Sequence, residues 1–231
     1  GYDSNPSLMR LSCSPNYTDP RPFQWNGFEI SPAFTYRIDT YGIDSEQLLQ
    51  SFSRDLRREV RKRDEVDVSI RRGDMRDVKH TYDALRDRYR EQEYSLPLEW
   101  EFVRDLFEAL DDRIRVYIAE SADGTFISGM IILYSNDTAY FWKGGAKTQR
   151  TVSPNSLLHW RVLEDILTDP KLESVEQYDL YTANNRRLSE YKSKFGGEPS
   201  VYYVVESAGA AMRVAKGLYR LSALGKHPLK S

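Results

Sequence analysis

Cysteine is nearly missing from this chain: Cys13 is the sole one in 231 residues. That excludes a disulfide within the chain and any site built on several thiolates, and it fits a reducing, cytoplasmic setting. Histidine is almost as scarce, and His80, His159 and His227 stand on separate segments, so no metal-ligand spacing exists and no metal is expected. Excess charge of one sign is also lacking, because 33 Lys and Arg face 35 Asp and Glu for a net charge of -2. Global charge therefore argues neither for nor against nucleic acid, only local patches can speak, and no DNA partner is expected. The longest apolar run, Met130–Tyr134, falls well short of the roughly 20 residues that a membrane span needs. The opening Gly-Tyr-Asp-Ser-Asn-Pro has no basic stretch followed by an apolar one, so no signal peptide is expected. Neither Gly-x-Ser-x-Gly nor Gly-x-x-x-x-Gly-Lys-Ser/Thr occurs, which leaves serine-hydrolase and P-loop chemistry unsupported.

What is present is globular: 40% hydrophobic and 29% charged residues can build a core, and the length suits one large domain. Residues 1–33 carry five prolines and little periodicity, and read as an extended lead-in or the end of an upstream lobe. Residues 34–39 alternate as a strand. Asp44 then caps a helix running to about Asp64, with Leu48, Leu49, Phe52, Leu56 and Val60 at helical spacing. Val66 to Ile70 reads as a short strand, Asp74 to Glu93 as a second helix, and Pro97 to Leu110 as a third. The pattern next becomes an antiparallel meander: Arg115 to Ala119, Phe126 to Tyr134 and Thr138 to Trp142, with turns at Asp123-Gly124 and Ser135-Asn136-Asp137. Ser153-Pro154 opens a helix, Val175 to Tyr181 is a strand, and Arg186 to Phe195 is a short helix ended by Gly196-Gly197. A last strand at Val201 to Val205 precedes a basic amphipathic helix from Ala210 to Leu224. The expected architecture is α/β (α+β), a mixed central sheet with flanking helices in which an antiparallel meander leads into β-α-β and a final strand. Ligands in such sheets bind where strand ends part.

Four strings sharpen this. Asp137-Thr-Ala-Tyr-Phe-Trp-Lys-Gly-Gly145, Ser153-Pro-Asn-Ser-Leu-Leu-His-Trp160, Tyr178-Asp-Leu180 and Tyr191-Lys-Ser-Lys-Phe-Gly-Gly197 occur in that order, after a basic Phe52-Ser-Arg-Asp-Leu-Arg-Arg58. Together they resemble the FemAB-like branch of the GNAT acyltransferases, over roughly Phe34 to Glu206. The resemblance implies a GNAT-like domain over 34–209, with 210–231 a basic helix and tail. It also implies transfer of an acyl or aminoacyl group to an amine-bearing acceptor, with acyl-CoA or aminoacyl-tRNA as donor substrate and no firmly implied cofactor. Members typically have two related lobes. One fits here, so a second lobe or a homo-oligomer can complete the cleft.

The same resemblance implies site residues. Tyr191, seven residues after Asn184, matches the tyrosine that protonates the leaving group; the structural reading is a ring packed under the sheet. Lys192 matches a lysine that stabilises phosphate or developing negative charge, against the alternative of an exposed lysine on a polar helix. Asp179, inside an apolar strand, must be paired or shifted; it either handles the amine proton or accepts backbone amides. Trp142, Gly144 and Gly145 close the meander where a ligand or neighbouring backbone can approach, and Asn155 sits in the first turn of the next helix, whose N-terminus favours anions. His159 reads as a core or capping histidine rather than a base. The acetyl-CoA pattern Arg/Gln-x-x-Gly-x-Gly/Ala is replaced by Gln149-Arg-Thr-Val-Ser-Pro-Asn155, which weakens acetyl-CoA as donor. Arg57 and Arg58, on a face with Arg54 and Arg61, are candidates for phosphate contacts, although Asp55, Glu59, Asp64 and Glu65 can make this a solvated face. The alternative function is a non-catalytic GNAT-like lobe that binds tRNA or a protein through its basic helices.

Overall fold

A computed structural model of the chain describes residues 8–146 and 154–208. The expected Ser153 cap, the Gln149–Thr151 turn and the helix from Ala210 to Leu224 lie outside the described residues. In chain order the elements are β1 (Leu8–Ser12), α1 (Arg21–Trp25), β2 (Glu29–Asp39), α2 (Ser45–Ser51), α3 (Arg54–Arg61), β3 (Ser69–Arg72), α4 (Met75–Glu91) and α5 (Trp100–Leu110). Then follow β4 (Ile114–Glu120), β5 (Phe126–Tyr134), β6 (Thr138–Ala146), α6 (Pro154–Thr168), β7 (Gln177–Thr182), α7 (Arg186–Lys192) and β8 (Glu198–Ala208). Contacts divide the chain into two compact units, one of residues 1–34 with 200–231 and one of residues 35–199. In the first, the strand order is β1-β8-β2, with Leu11 opposite Val205, and Ala33, Tyr202 and Val204 form a small core.

The second unit holds the sheet order β2-β7-β6-β5-β4-β3. All its pairings are antiparallel except β6 with β7, the parallel pair that α6 joins. Period-two alternation distributes the meander between two cores. Tyr117, Ala119, Met130 and Ile132 pack with residues of α2, α3 and α6, whereas Val116, Ile118 and Ile131 pack with residues of α4 and α5. Asp44 and Asp74 cap their helices as expected, each in a reciprocal capping box. The single helix expected from Asp44 to Asp64 is instead two. Phe52 turns extended (ψ 152°), and Ser53 starts α3 by accepting a bond from the Leu56 amide. The break lets the Phe52 ring enter the core edge-on between Trp160 and Phe195. No helix of the described residues is long and apolar enough to cross a membrane.

Gly145 has a packing reason that also explains Gly129. The two are cross-strand partners on β5 and β6, and α4 lies directly on them. A Cβ at Gly145 would stand 2.5 Å from the Thr81 carbonyl oxygen and 2.7 Å from the Leu85 amide nitrogen, both backbone atoms. Gly145→Ala should therefore lower stability by about 3 kcal/mol, since forced overpacking against backbone cannot be relieved by rotating a side chain. Urea unfolding measures it, and a loss below about 0.5 kcal/mol would contradict this packing.

Candidate active site

The parallel pair β6–β7 stays together only from Thr138–Gln177 to Tyr140–Asp179. Beyond that point both strands bulge. On β6, Phe141 and Lys143 face consecutive residues Ile132 and Ile131, so Trp142 is the extra residue. On β7, Leu180 and Tyr181 together oppose Tyr36 between the Arg37–Asp179 and Thr35–Thr182 pairs. A bulge removes a residue from its ladder and bends its strand. Two bulges, one on each strand just past their last contact, part β6 from β7 and open a cleft of about 460 Å³.

Of the residues expected from the sequence, Trp142, Gly144, Gly145, Asn155, Tyr191 and Lys192 line this cleft. Asn155 accepts a bond of 2.7 Å from the Ser128 hydroxyl. The Tyr191 ring packs on Phe195 (centroids 5.4 Å apart) and near His159 (6.3 Å). Asn184 and Asp179 are not among the lining residues: Asn184 donates to the Thr182 hydroxyl, and Asp179 is buried behind the β7 bulge. Arg57 and Arg58 lie elsewhere, on α3, where with Arg54, Arg61 and Lys62 they surround a separate concavity of about 490 Å³. There Arg57 bonds Gln50, Arg58 reaches Asp55 at 3.5 Å, and Arg61 pairs with Glu46 at 2.6 Å.

The cleft also takes residues that the sequence did not single out. Leu85, Arg88 and Tyr89 come from α4, and Arg187 and Leu188 from the first turn of α7; Lys143 of β6, part of the string that closes the meander, lines it as well. Among the described residues, Arg88, Lys143 and Arg187 make no ion pair and no carboxylate lines the cleft. Burial draws the Lys143 ammonium below its ordinary pKa. His159 lines the cleft from a buried position, its Nδ1 2.7 Å from the Tyr178 hydroxyl. Burial, and then the nearby Lys192 charge, pull its pKa down to about 3, so the ring is neutral.

Lys192 is 3% exposed, with its Nζ 5.6 Å from the centre of the Phe141 ring. It donates to the carbonyls of Leu180 (2.5 Å), Tyr181 (3.1 Å) and Thr182 (2.7 Å). Asp179 Oδ1 accepts the Tyr181 amide and the Thr35 hydroxyl, each at 2.6 Å. Burial pushes the Asp179 carboxyl up, partly offset by those two bonds and by Arg37 and Lys192. Between these charges Tyr181 holds φ at 59°, a left-handed conformation that costs a non-glycine residue about 1 kcal/mol or more.

Burial lowers the Lys192 pKa to about 8, with Asp179 opposing the shift. An unfolded lysine keeps its proton to about pH 10.4, so between those values the unfolded chain binds more protons and stability rises with pH. The unfolding free energy of the native chain, minus that of Lys192→Met, should increase from pH 7.5 to pH 10. A flat difference would contradict the buried ammonium.

Solved structures share the fold, three of them as follows. FemX superposes with a TM-score of 0.64 at 12% identity, over 79% of this chain and 67% of that one. The C-terminal domain of a putative lysylphosphatidylglycerol synthetase from Agrobacterium fabrum gives 0.57 at 11%, over 85% and 67%. A tandem GNAT protein from the clavulanic acid biosynthesis pathway gives 0.52 at 14%, over 87% and 63%. At these identities the likeness is one of fold. No curated protein matches by sequence. Residues 50–193, more than half of the 231 and inclusive of every residue lining the cleft, match the family described as Acetyltransferase (GNAT) domain, and the chain belongs to that family.

Proposed function

We propose that the cleft transfers an acyl or aminoacyl group from a phosphate-bearing carrier to an amine. The observation that carries this is the set of three cations, Arg88, Lys143 and Arg187, without counter-charge among the described residues, around a cleft between parted strands. An anionic carrier supplies the missing charge. The acceptor nitrogen attacks the donor carbonyl directly. A C–N bond forms, the bond from carbonyl carbon to the carrier's sulfur or oxygen breaks, and the amine proton passes to solvent. Tyr191 gives its phenolic proton to the departing atom and regains one from solvent, and the bulge at Trp142 leaves backbone polar groups outside the ladder to polarise the carbonyl. The name of the lysylphosphatidylglycerol synthetase relative supports an aminoacyl group, while the tandem GNAT protein was named with reference to AcCoA.

The test is a thermal-shift and transfer panel of acyl-CoAs, aminoacyl-tRNAs and nucleotide-linked amines. A donor at 100 times its dissociation constant should add about 2.7 kcal/mol of stability. Neither stabilisation nor product with any donor would sink the reading. The concavity on α3, lined among the described residues by Arg54, Arg57, Arg58, Arg61 and Lys62, favours a second reading in which the domain holds tRNA without catalysis. That reading expects salt-dependent RNA retention that Arg57→Glu with Arg58→Glu abolishes, while no acyl donor binds.

A further inference from the structure

The end of β7 is gripped from both sides by charged groups. A lysine ammonium has three protons to give. At Lys192 three backbone carbonyls in succession, those of Leu180, Tyr181 and Thr182, lie within reach of it. That leaves no donor for a substrate phosphate. On the other side, the oxygen of Asp179 nearest the bulge is already engaged by the Tyr181 amide and the Thr35 hydroxyl. The Thr35 hydroxyl also lies 2.8 Å from the Tyr181 carbonyl, a second acceptor within reach of its one proton, beside the one left-handed residue of the strand. Tyr181 and Thr182, the residues so held, form part of the cleft wall.

We infer that Lys192 and Asp179 are positioning residues: a two-sided clamp that fixes the left-handed bulge of β7, and with it the wall that Tyr181 and Thr182 present to the substrate. Neither touches the reacting atoms. The consequence for turnover rests on the acyl-transfer reading above; the clamp itself does not.

The experiment follows amide exchange at Leu180–Thr182 in the full chain by NMR, alongside transfer kinetics. Asp179→Asn keeps an oxygen where the Tyr181 amide and Thr35 hydroxyl need one, so protection of the Tyr181 amide should stay within about threefold of the native chain. Asp179→Ala and Lys192→Met should each lose tenfold or more there, while amides of β4 and β5 keep their protection. In kinetics, Asp179→Asn should keep kcat and Asp179→Ala should lose it together with a raised KM. Glycine adopts the left-handed conformation without penalty, so Tyr181→Gly added to Lys192→Met should recover part of the lost Tm. Unchanged Tyr181 exchange in Lys192→Met overturns the clamp. So does an Asp179→Asn variant that keeps Tyr181 protected yet is as inactive as Asp179→Ala, because the carboxylate would then act on a reacting proton. If no donor is turned over, the exchange measurements still decide the clamp, and only the acyl-transfer reading falls.

Discussion

Tyr191→Phe should leave the fold intact and slow acyl transfer by about 100-fold or more, the range expected when a positioned proton donor is removed. The substitution keeps the ring and its contacts with Phe195 and His159, so the change in Tm should be small beside the loss of rate. Two neighbouring groups are poor substitutes. His159 is neutral well below pH 7, with its Nδ1 committed to Tyr178, and Lys192 spends its protons on three carbonyls. The size of the loss should also report the carrier. A thiolate, with a pKa near that of a cysteine side chain at about 8.5, departs without much help, whereas an alkoxide from an ester needs its proton in the transition state. The defect should therefore be several times larger with an aminoacyl ester than with an acyl thioester. Single-turnover rates with both donor types measure this. Native rates with both would remove Tyr191 from the chemistry.

Much of the fold was legible because local and tertiary preferences agree. The alternation in β4 and β5 serves two cores, the Asp44 and Asp74 boxes need only their own helices, and the order meander, helix, strand implies the parallel β6–β7 pair. The strings around Trp142 and Tyr191 led to one cleft, since both sit on segments whose ends the topology brings together. Other features depend on partners distant in sequence. Leu48, Leu49, Phe52, Leu56 and Val60 keep helical spacing across a break that exists because Phe52 inserts between Trp160 and Phe195. Arg88 and Arg187 look like any exposed helical arginine until β6 and β7 part beside them. Leu180-Tyr181 reads as the end of an ordinary strand, and its left-handed residue is held by Thr35, Asp179 and Lys192. Gly145 is a seat for α4, but its partner Gly129 is identified only by the register of β5 on β6.

Asp165→Ala should cost about 3–5 kcal/mol, the penalty for stripping one partner from a buried ion pair. Asp165, on α6, is buried against the meander. It accepts the Tyr117 hydroxyl at 2.9 Å, pairs with Arg161 at 2.9 Å, and lies 3.7 Å from the Arg115 guanidinium. Arg115 is 4% exposed, lies 5.2 Å from the centre of the Tyr134 ring, and has Asp169 at 2.9 Å as its closer carboxylate. Burial, and then the Asp165 charge, push Tyr117 up to about 12, so it remains a neutral donor throughout the usual pH range. Removing Asp165 takes the carboxylate acceptor from the Tyr117 hydroxyl and leaves Arg115 with a single carboxylate. Because the penalty comes from the charge left behind, Arg115→Met combined with Asp165→Leu should recover most of the loss. Urea unfolding of the two single variants and the double variant measures the coupling. Additive losses would show that Arg115 and Asp165 do not act as a pair. The same helix carries Asn155 and His159 into the cleft, so a variant that loosens α6 should also weaken donor binding, whereas the double variant should restore both stability and affinity.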